Sequence, residues 1–191
     1  AKKTSIPLKD RAVRAALDLA AEKGWAHVTM QDIASSCACP ISDLHDIFED
    51  RFDILVAYGR QIDRRVLDSA GTPNVDASER DRLFDVLMER FDVLNEEREA
   101  VISILQSFCR DPKQAITSLP HLGKSMIWIL EAAGIEANGP RGAVIALGLT
   151  GVYLYALKTW MNDDSQDMGK TMATLDRALE RAAWLAGRFP G

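Results

Sequence analysis

Few folds accommodate residues 29–55, TMQDIASSCACPISDLHDIFEDRFDIL. Thr29 and Asp32 have capping-box spacing, and Ile33-Ala34 opens an apolar face behind them. Cys37-Ala38-Cys39-Pro40 is too short for anything but a tight turn. Leu44, Ile47 and Phe48 then recur at helical spacing, and a longer helix begins near Arg51. Two short helices joined by about four residues have the geometry of a helix-turn-helix, a motif whose second helix enters the DNA major groove.

The rest of the chain also reads as helix. A first helix covers residues 8–23, with Val13, Ala16, Leu17 and Ala20 inward and Gly24 closing it. The strongest breaker cluster is Ala70-Gly71-Thr72-Pro73-Asn74, a boundary signal. The helix before it links an N-terminal domain, 1–55, to the remainder, 56–191. Further helices begin at Ser78, again with capping-box spacing to Asp81, near Glu97, and at Asp111-Pro112, where Asp caps and Pro takes the first position. Pro120 predicts a kink or break before 122–133. The last two helices cover 141–161 and 165–187. No strand pattern stands out, so the predicted class is all-α with about nine helices.

At 191 residues the chain can bury a substantial core, and 47% hydrophobic with 27% charged residues is ordinary for a globular protein. A net charge of −5 excludes a generic nucleic-acid binder. The three cysteines make no disulfide framework, which suits a reducing cytoplasm. The N-terminus has no apolar run of the signal-peptide kind. The longest apolar segment, 142–157, falls short of the roughly 20 residues that span a bilayer and is read as a buried helix. Enzymatic readings find little footing. There is no phosphate loop, nucleophile elbow or His-Glu metal signature, and a single Cys-x-Cys beside His45 lacks a second ligand pair. No catalytic residue, metal or cofactor is predicted.

Three groups of residues point to binding. The front end carries Lys2, Lys3, Lys9, Arg11 and Arg14 against Asp10, an arm suited to phosphates. The segment 142–157 has no charged residue on any face, and a helix apolar all round must be buried all round. So small a chain has few places for it unless a second subunit covers it. Gly148 and Gly151 would allow close approach, which predicts a homodimer with a four-helix interface from the last two helices, through Leu147, Gly148, Gly151, Leu154, Leu175 and Leu179. Finally, Phe84, Met88, Phe91, Phe108, Met126 and Trp128 form a soft aromatic and methionine set that suits either an apolar ligand cavity or ordinary core.

In its first 8–58 residues the chain resembles the TetR (TetR/AcrR) regulators. The resemblance rests on Gly24-Trp25, Thr29, Ile33-Ala34, Leu44, Phe48, Arg51 and Leu55, in that order. It departs where such proteins read DNA. Ala38 replaces the usual turn glycine, Pro40 the usual serine cap, Ser42-Asp43 a Gly-Thr pair, and His45 stands in place of a phosphate-touching tyrosine. The resemblance implies a TetR-like fold, a C-terminal inducer pocket, dimer contacts through the last two helices, and DNA contacts at Lys9, Arg11, Arg14, Thr29, Ile41, Ser42, Asp43, His45 and Arg51. A physical objection remains: residues 40–50 hold Asp43, Asp46, Glu49 and Asp50 and no Lys or Arg, whereas groove affinity comes largely from cations.

A shorter stretch, Asp164-Ser165-Gln166-Asp167 with Thr171 and Leu175, resembles the Coq-type lipid-binding proteins of ubiquinone biosynthesis. Met172, Leu175, Leu179, Trp184, Leu185 and Phe189 would then serve a membrane surface. Two expectations result. One is a cytoplasmic dimeric transcriptional regulator that binds double-stranded DNA and responds to a small apolar ligand. The alternative is a lipid or isoprenoid carrier of the same fold without DNA binding. The operator, the ligand and the sign of regulation are not encoded in any motif.

Overall fold

The structure, a computed structural model, describes residues 6–188, with side chains through 183. Lys2, Lys3, Phe189 and the side chains of Trp184 and Leu185 lie outside it. The described residues form α1 (Leu8–Lys23), a 3-10 turn (Trp25–His27), α2 (Met30–Ser36), α3 (Ile41–His45), α4 (Arg51–Ala70), α5 (Glu79–Glu96), α6 (Arg98–Arg110), α7 (Pro112–Ala132), α8 (Gly139–Trp160) and α9 (Gly169–Arg188). The all-α expectation holds among them. They divide into two compact units, Ala1–Gln61 with Leu94–Ser118, and Ile62–Val93 with Leu119–Gly191.

In the first unit, alanines at 12, 15, 16 and 20 make one face of α1 flat enough for close packing. Against it gather Trp25, Val28, Ile33, Leu44, Phe48 and Ile54, joined by Ala100 and Ile104 of α6. Fully burying side chains of this size contributes about 1.5–3 kcal/mol each. The Trp25 backbone N–H donates to the Ser103 hydroxyl at 2.8 Å, fixing the 3-10 turn to α6. Sequence reading groups α6 with everything beyond residue 55. A contact across 78 positions leaves no local periodicity to reveal it.

In the second unit, α8 packs on α9. Phe91 stacks on Tyr153 at 5.5 Å between ring centres and meets Trp160 at 6.4 Å. Beside them lies a buried charge. Arg90 is 4% exposed, donates to the Tyr153 hydroxyl at 3.2 Å, and pairs with Asp63, which also accepts from Ser125. Burial works to lower the Arg90 pKa, but the Tyr153 and Asp63 oxygens outweigh it and the net shift is upward. Gly142 lets the start of α8 fold back on Ala137, whose carbonyl carbon and oxygen would stand 2.1 Å from any Cβ there.

Two expectations change. Pro120 lies inside α7, so the helix does not break there. The N-terminus of α9 comes later than Ser165, at Gly169. Asp163, 2% exposed, accepts from the Ser165 N–H and hydroxyl and from the Thr171 N–H and hydroxyl, so 163–168 is a capping loop. Burial alone would raise the Asp163 pKa, and those four donors bring it well below the carboxylate range. In keeping with the expectation that a single chain cannot cover it, α8 is not buried all round. It is 22 residues long, apolar enough by length and composition to cross a membrane, and only part of it is covered. Ala146, Leu149, Tyr153, Ala156 and Trp160 face inward. Val144 (70%), Leu147 (73%), Leu154 (40%) and Tyr155 (57%) stay exposed on the opposite stripe.

Candidate nucleic-acid interface

α2 begins with a full capping box. The Asp32 N–H donates to the Thr29 hydroxyl oxygen at 3.1 Å, and the Thr29 N–H donates back to the Asp32 carboxylate at 2.8 Å. The Lys23 ammonium, 2.7 Å away, and then the Thr29 donors hold the Asp32 pKa at about 2. α2 ends in a Schellman turn. Ala38 has φ 51, its N–H donates to Ser35 O at 3.1 Å, and the Cys39 N–H donates to Ala34 O at 3.1 Å. Pro40, at φ −59, leads directly into α3.

α3 is shorter than the apolar spacing predicts. It ends at His45, and Phe48 lies on the turn beyond. Leu44 and Phe48 are its two anchors in the core. Ile41, Ser42, Asp43 and His45 all stay exposed. Side chains of this kind can reach base edges: Ser is permissive, and a carboxylate accepts from cytosine N4.

The cations of the predicted interface divide into two kinds. Lys9 and Arg11 are exposed. Arg14 is exposed but bridges Asp18 at 3.1 Å and also Glu97, the N-cap residue of α6, and attraction to Glu97 raises its pKa. Arg51 is half-buried; it donates to the carbonyls of Val28 at 2.5 Å and Trp25 at 3.1 Å and lies 5.4 Å over the Trp25 ring. It therefore ties the chain after α3 to the chain before α2. Thr29 is exposed, with its hydroxyl engaged in the cap.

The acidic stretch is less adverse than its composition indicates. Asp50 accepts from the N–H groups of Phe52 and Asp53 at 2.7 and 3.1 Å, and Asp53 accepts from the Glu49 N–H at 2.8 Å. Asp50 and Asp53 thus cap the N-terminus of α4, where backbone N–H groups favour negative charge. Asp43, Asp46 and Glu49 remain exposed.

The six residues proposed for a ligand have different surroundings. Phe91 and Met126 are fully buried core, Phe84 and Met88 are half-buried, and Trp128 is 56% exposed. Phe108 packs on the core of the first unit. A cleft of about 270 Å³ in the second unit is lined by Pro73, Ala77, Arg82, Asp85, Glu89 and Ala132 among others, and by none of the six. Of the residues proposed for a dimer contact, Leu147, Gly148, Gly151 and Leu154 are exposed along one stripe of α8, whereas Leu175 and Leu179 are buried in their own chain. Among the described residues no group of three or more His, Cys, Asp or Glu is placed to hold a metal.

No family model matches the chain, and no curated protein matches it. Solved structures are. A TetR transcriptional regulator from Nitrosomonas europaea ATCC 19718 superposes with a TM-score of 0.75 at 26% identity, over 94% of this chain and 99% of that one. The TM-score measures shared backbone course, so the agreement covers both units' worth of helices in order. The fold is that of the TetR-type transcriptional regulators.

Two further TetR-type structures agree. One from Rhodococcus sp. RHA1 gives a TM-score of 0.67 at 21% identity over 92% of this chain and 95% of that one. Thermus thermophilus FadR, a TetR-family repressor solved in complex with lauroyl-CoA, gives 0.58 at 16% identity over 93% and 92%. These likenesses lend the shorter, Coq-type resemblance no support. Sequence reasoning missed the work of Asp50 and Asp53. The signal is there: an Asp before a helix with an acid three positions on is itself a capping pattern. The acidic composition of 40–50 obscures it, since four acids together read as surface charge.

Proposed function

We propose that the chain is a dimeric TetR-type DNA-binding transcriptional regulator whose second unit responds to a small apolar ligand. The observation that carries this is α3. Its inward anchors, Leu44 and Phe48, leave Ile41, Ser42, Asp43 and His45 outward behind a capped α2. Lys9, Arg11 and Arg14 would lie on phosphates, and Thr29 and Arg51 would act mainly by holding the motif in shape. Two copies would meet through Leu147, Gly148, Gly151 and Leu154 of α8, with Leu175 and Leu179 supporting α8 from behind. Two α3 helices would then read half-sites about 34 Å apart, one turn of duplex. Ligand uptake among the helices of Phe84, Met88, Phe91, Phe108, Met126 and Trp128 would alter that spacing. Such a protein works in the cytoplasm, where the DNA is.

The test is selection of bound duplexes from a random pool, then binding at several salt concentrations. An enriched sequence with two similar half-sites, bound less tightly as salt rises, is the expected result. Lauroyl-CoA, the ligand solved with FadR, is the first probe for release. The alternative, a lipid or isoprenoid carrier of this fold, is favoured by one observation: Asp43, Asp46 and Glu49 are exposed in a stretch without Lys or Arg. A pool that yields no enriched sequence, with lipid co-purifying, would overturn the regulator and leave the carrier.

A further inference from the structure

Cys37 is the C-cap of α2, and Cys39 stands two residues on, across the left-handed Ala38. Cys37 is 7% exposed and belongs to the first unit's core; Cys39 is half-buried, at its edge. Both side chains pack on that core, Cys37 within it and Cys39 against it. Burial, and then the neighbouring Cys39, push the Cys37 thiol up, so Cys37 is held protonated. Two residues span at most about 7 Å even when extended. The bend at Ala38 shortens that span toward the roughly 4.4–6.8 Å between Cα atoms that a disulfide bridges.

We propose that Cys37 and Cys39 are an oxidative modification site, a peroxide-sensitive dithiol whose disulfide displaces α3 and weakens DNA binding. The consequence for DNA rests on the regulator reading; the chemistry does not. Cys39, the more open of the two, attacks hydrogen peroxide as its thiolate. A sulfur–oxygen bond forms, the oxygen–oxygen bond breaks, and the departing hydroxide takes a proton to become water. The Cys37 sulfur then attacks the Cys39 sulfenic sulfur. The sulfur–sulfur bond forms, the sulfur–oxygen bond breaks, and the hydroxyl leaves as a second water with the Cys37 proton. Two thiols lose two electrons, and one peroxide becomes two waters.

The bond would bring the two sulfurs to about 2.05 Å. Cys37 is fixed in the core with Ile33, Ala34 and Leu44, so the movement falls on Cys39 and the residues after it. Pro40 and the five-residue α3 come next, with only Leu44 and Phe48 to resist. A helix of that length has little hydrogen bonding of its own to keep its direction.

The experiment uses the full chain carrying Cys109→Ser, which removes the exposed third thiol, and compares it with the same chain also carrying Cys39→Ser. After treatment with equimolar hydrogen peroxide, the tryptic peptide 24–51 is expected to lose about 2 Da and regain it with dithiothreitol. Amide exchange over 37–48 is expected to quicken in the oxidised form, and affinity for the selected duplex to fall at least tenfold and recover on reduction. The Cys39→Ser chain should show none of these. Oxidation of Cys39 to the sulfinic acid, about 32 Da heavier, without a disulfide would overturn the proposal. So would a disulfide that leaves exchange and affinity within twofold. If the reduced chain binds no duplex, the DNA-binding reading fails by itself, and peptide mass and amide exchange still decide the dithiol.

Discussion

Ala38 adopts φ 51 at the position after α2 where glycine is the usual occupant. A left-handed conformation costs an L side chain roughly 1–2 kcal/mol, offset in part by alanine's stiffer unfolded chain. Ala38→Gly is therefore expected to stabilise the protein by up to about 1 kcal/mol, a rise in Tm of about 2–4 °C at this chain length. A fall in Tm would mean that the alanine methyl holds the turn. Asp32 gives a pH prediction. Its folded pKa is about 2 against an ordinary 3.8, so its contribution is fully present above 3.8 and is lost as pH falls through about 2. The Tm gap between wild type and Asp32→Asn should be constant above pH 3.8 and shrink steadily as pH drops to about 2. At this scale the sequence is most readable where chemistry is local. Thr29 and Asp32 sit three apart and their bonds follow from that. Arg51 misleads because its partners, the carbonyls of Trp25 and Val28, are backbone groups more than twenty positions away.

Helices are held to one another by a few side chains that their own periodicity does not single out. Asp63 joins α4 to α5 through Arg90 and to α7 through Ser125. Removing the acid leaves a buried guanidinium unpaired, and Asp63→Ala is expected to cost about 3–5 kcal/mol in denaturant unfolding. A loss below about 1 kcal/mol would mean that Tyr153 alone satisfies Arg90. On α8, Leu147 is the most exposed of the large apolar residues on its open stripe. Leu147→Glu is expected to shift light scattering from twice the chain mass of 21.1 kDa to once that value at micromolar concentration. An unshifted dimer would place the contact elsewhere. The apolar composition of α8 is plain in the sequence, and so is the need for a cover. Which stripe its own chain covers is not, because a helix apolar on every face carries no phase.

The chain passes between its two units three times, within α4, α5 and α7. The first unit is therefore not a leading segment but residues up to 61 completed by 94–118. A fragment consisting of 56–191 would leave Ala100 and Ile104 of α6 without the α1 core they pack into. It is expected to bind an apolar dye strongly and to elute as aggregate; a monodisperse fragment with a cooperative melt would show that α6 finds another cover. This interleaving is illegible from sequence. The helix-turn-helix resemblance spans about fifty residues. Local patterns give helix ends, but the choice of which distant helix fills the flat alanine face of α1 is made by shape.

The open stripe of α8 also turns the amount of protein into a thermodynamic variable. If a second copy covers Val144, Leu147, Leu154 and Tyr155, folding and association become one equilibrium, and each tenfold dilution removes about 1.4 kcal/mol per dimer of apparent stability. Melting temperature should then climb with concentration. In a cell, the fraction of chains competent to span two half-sites would rise steeply with expression at low abundance.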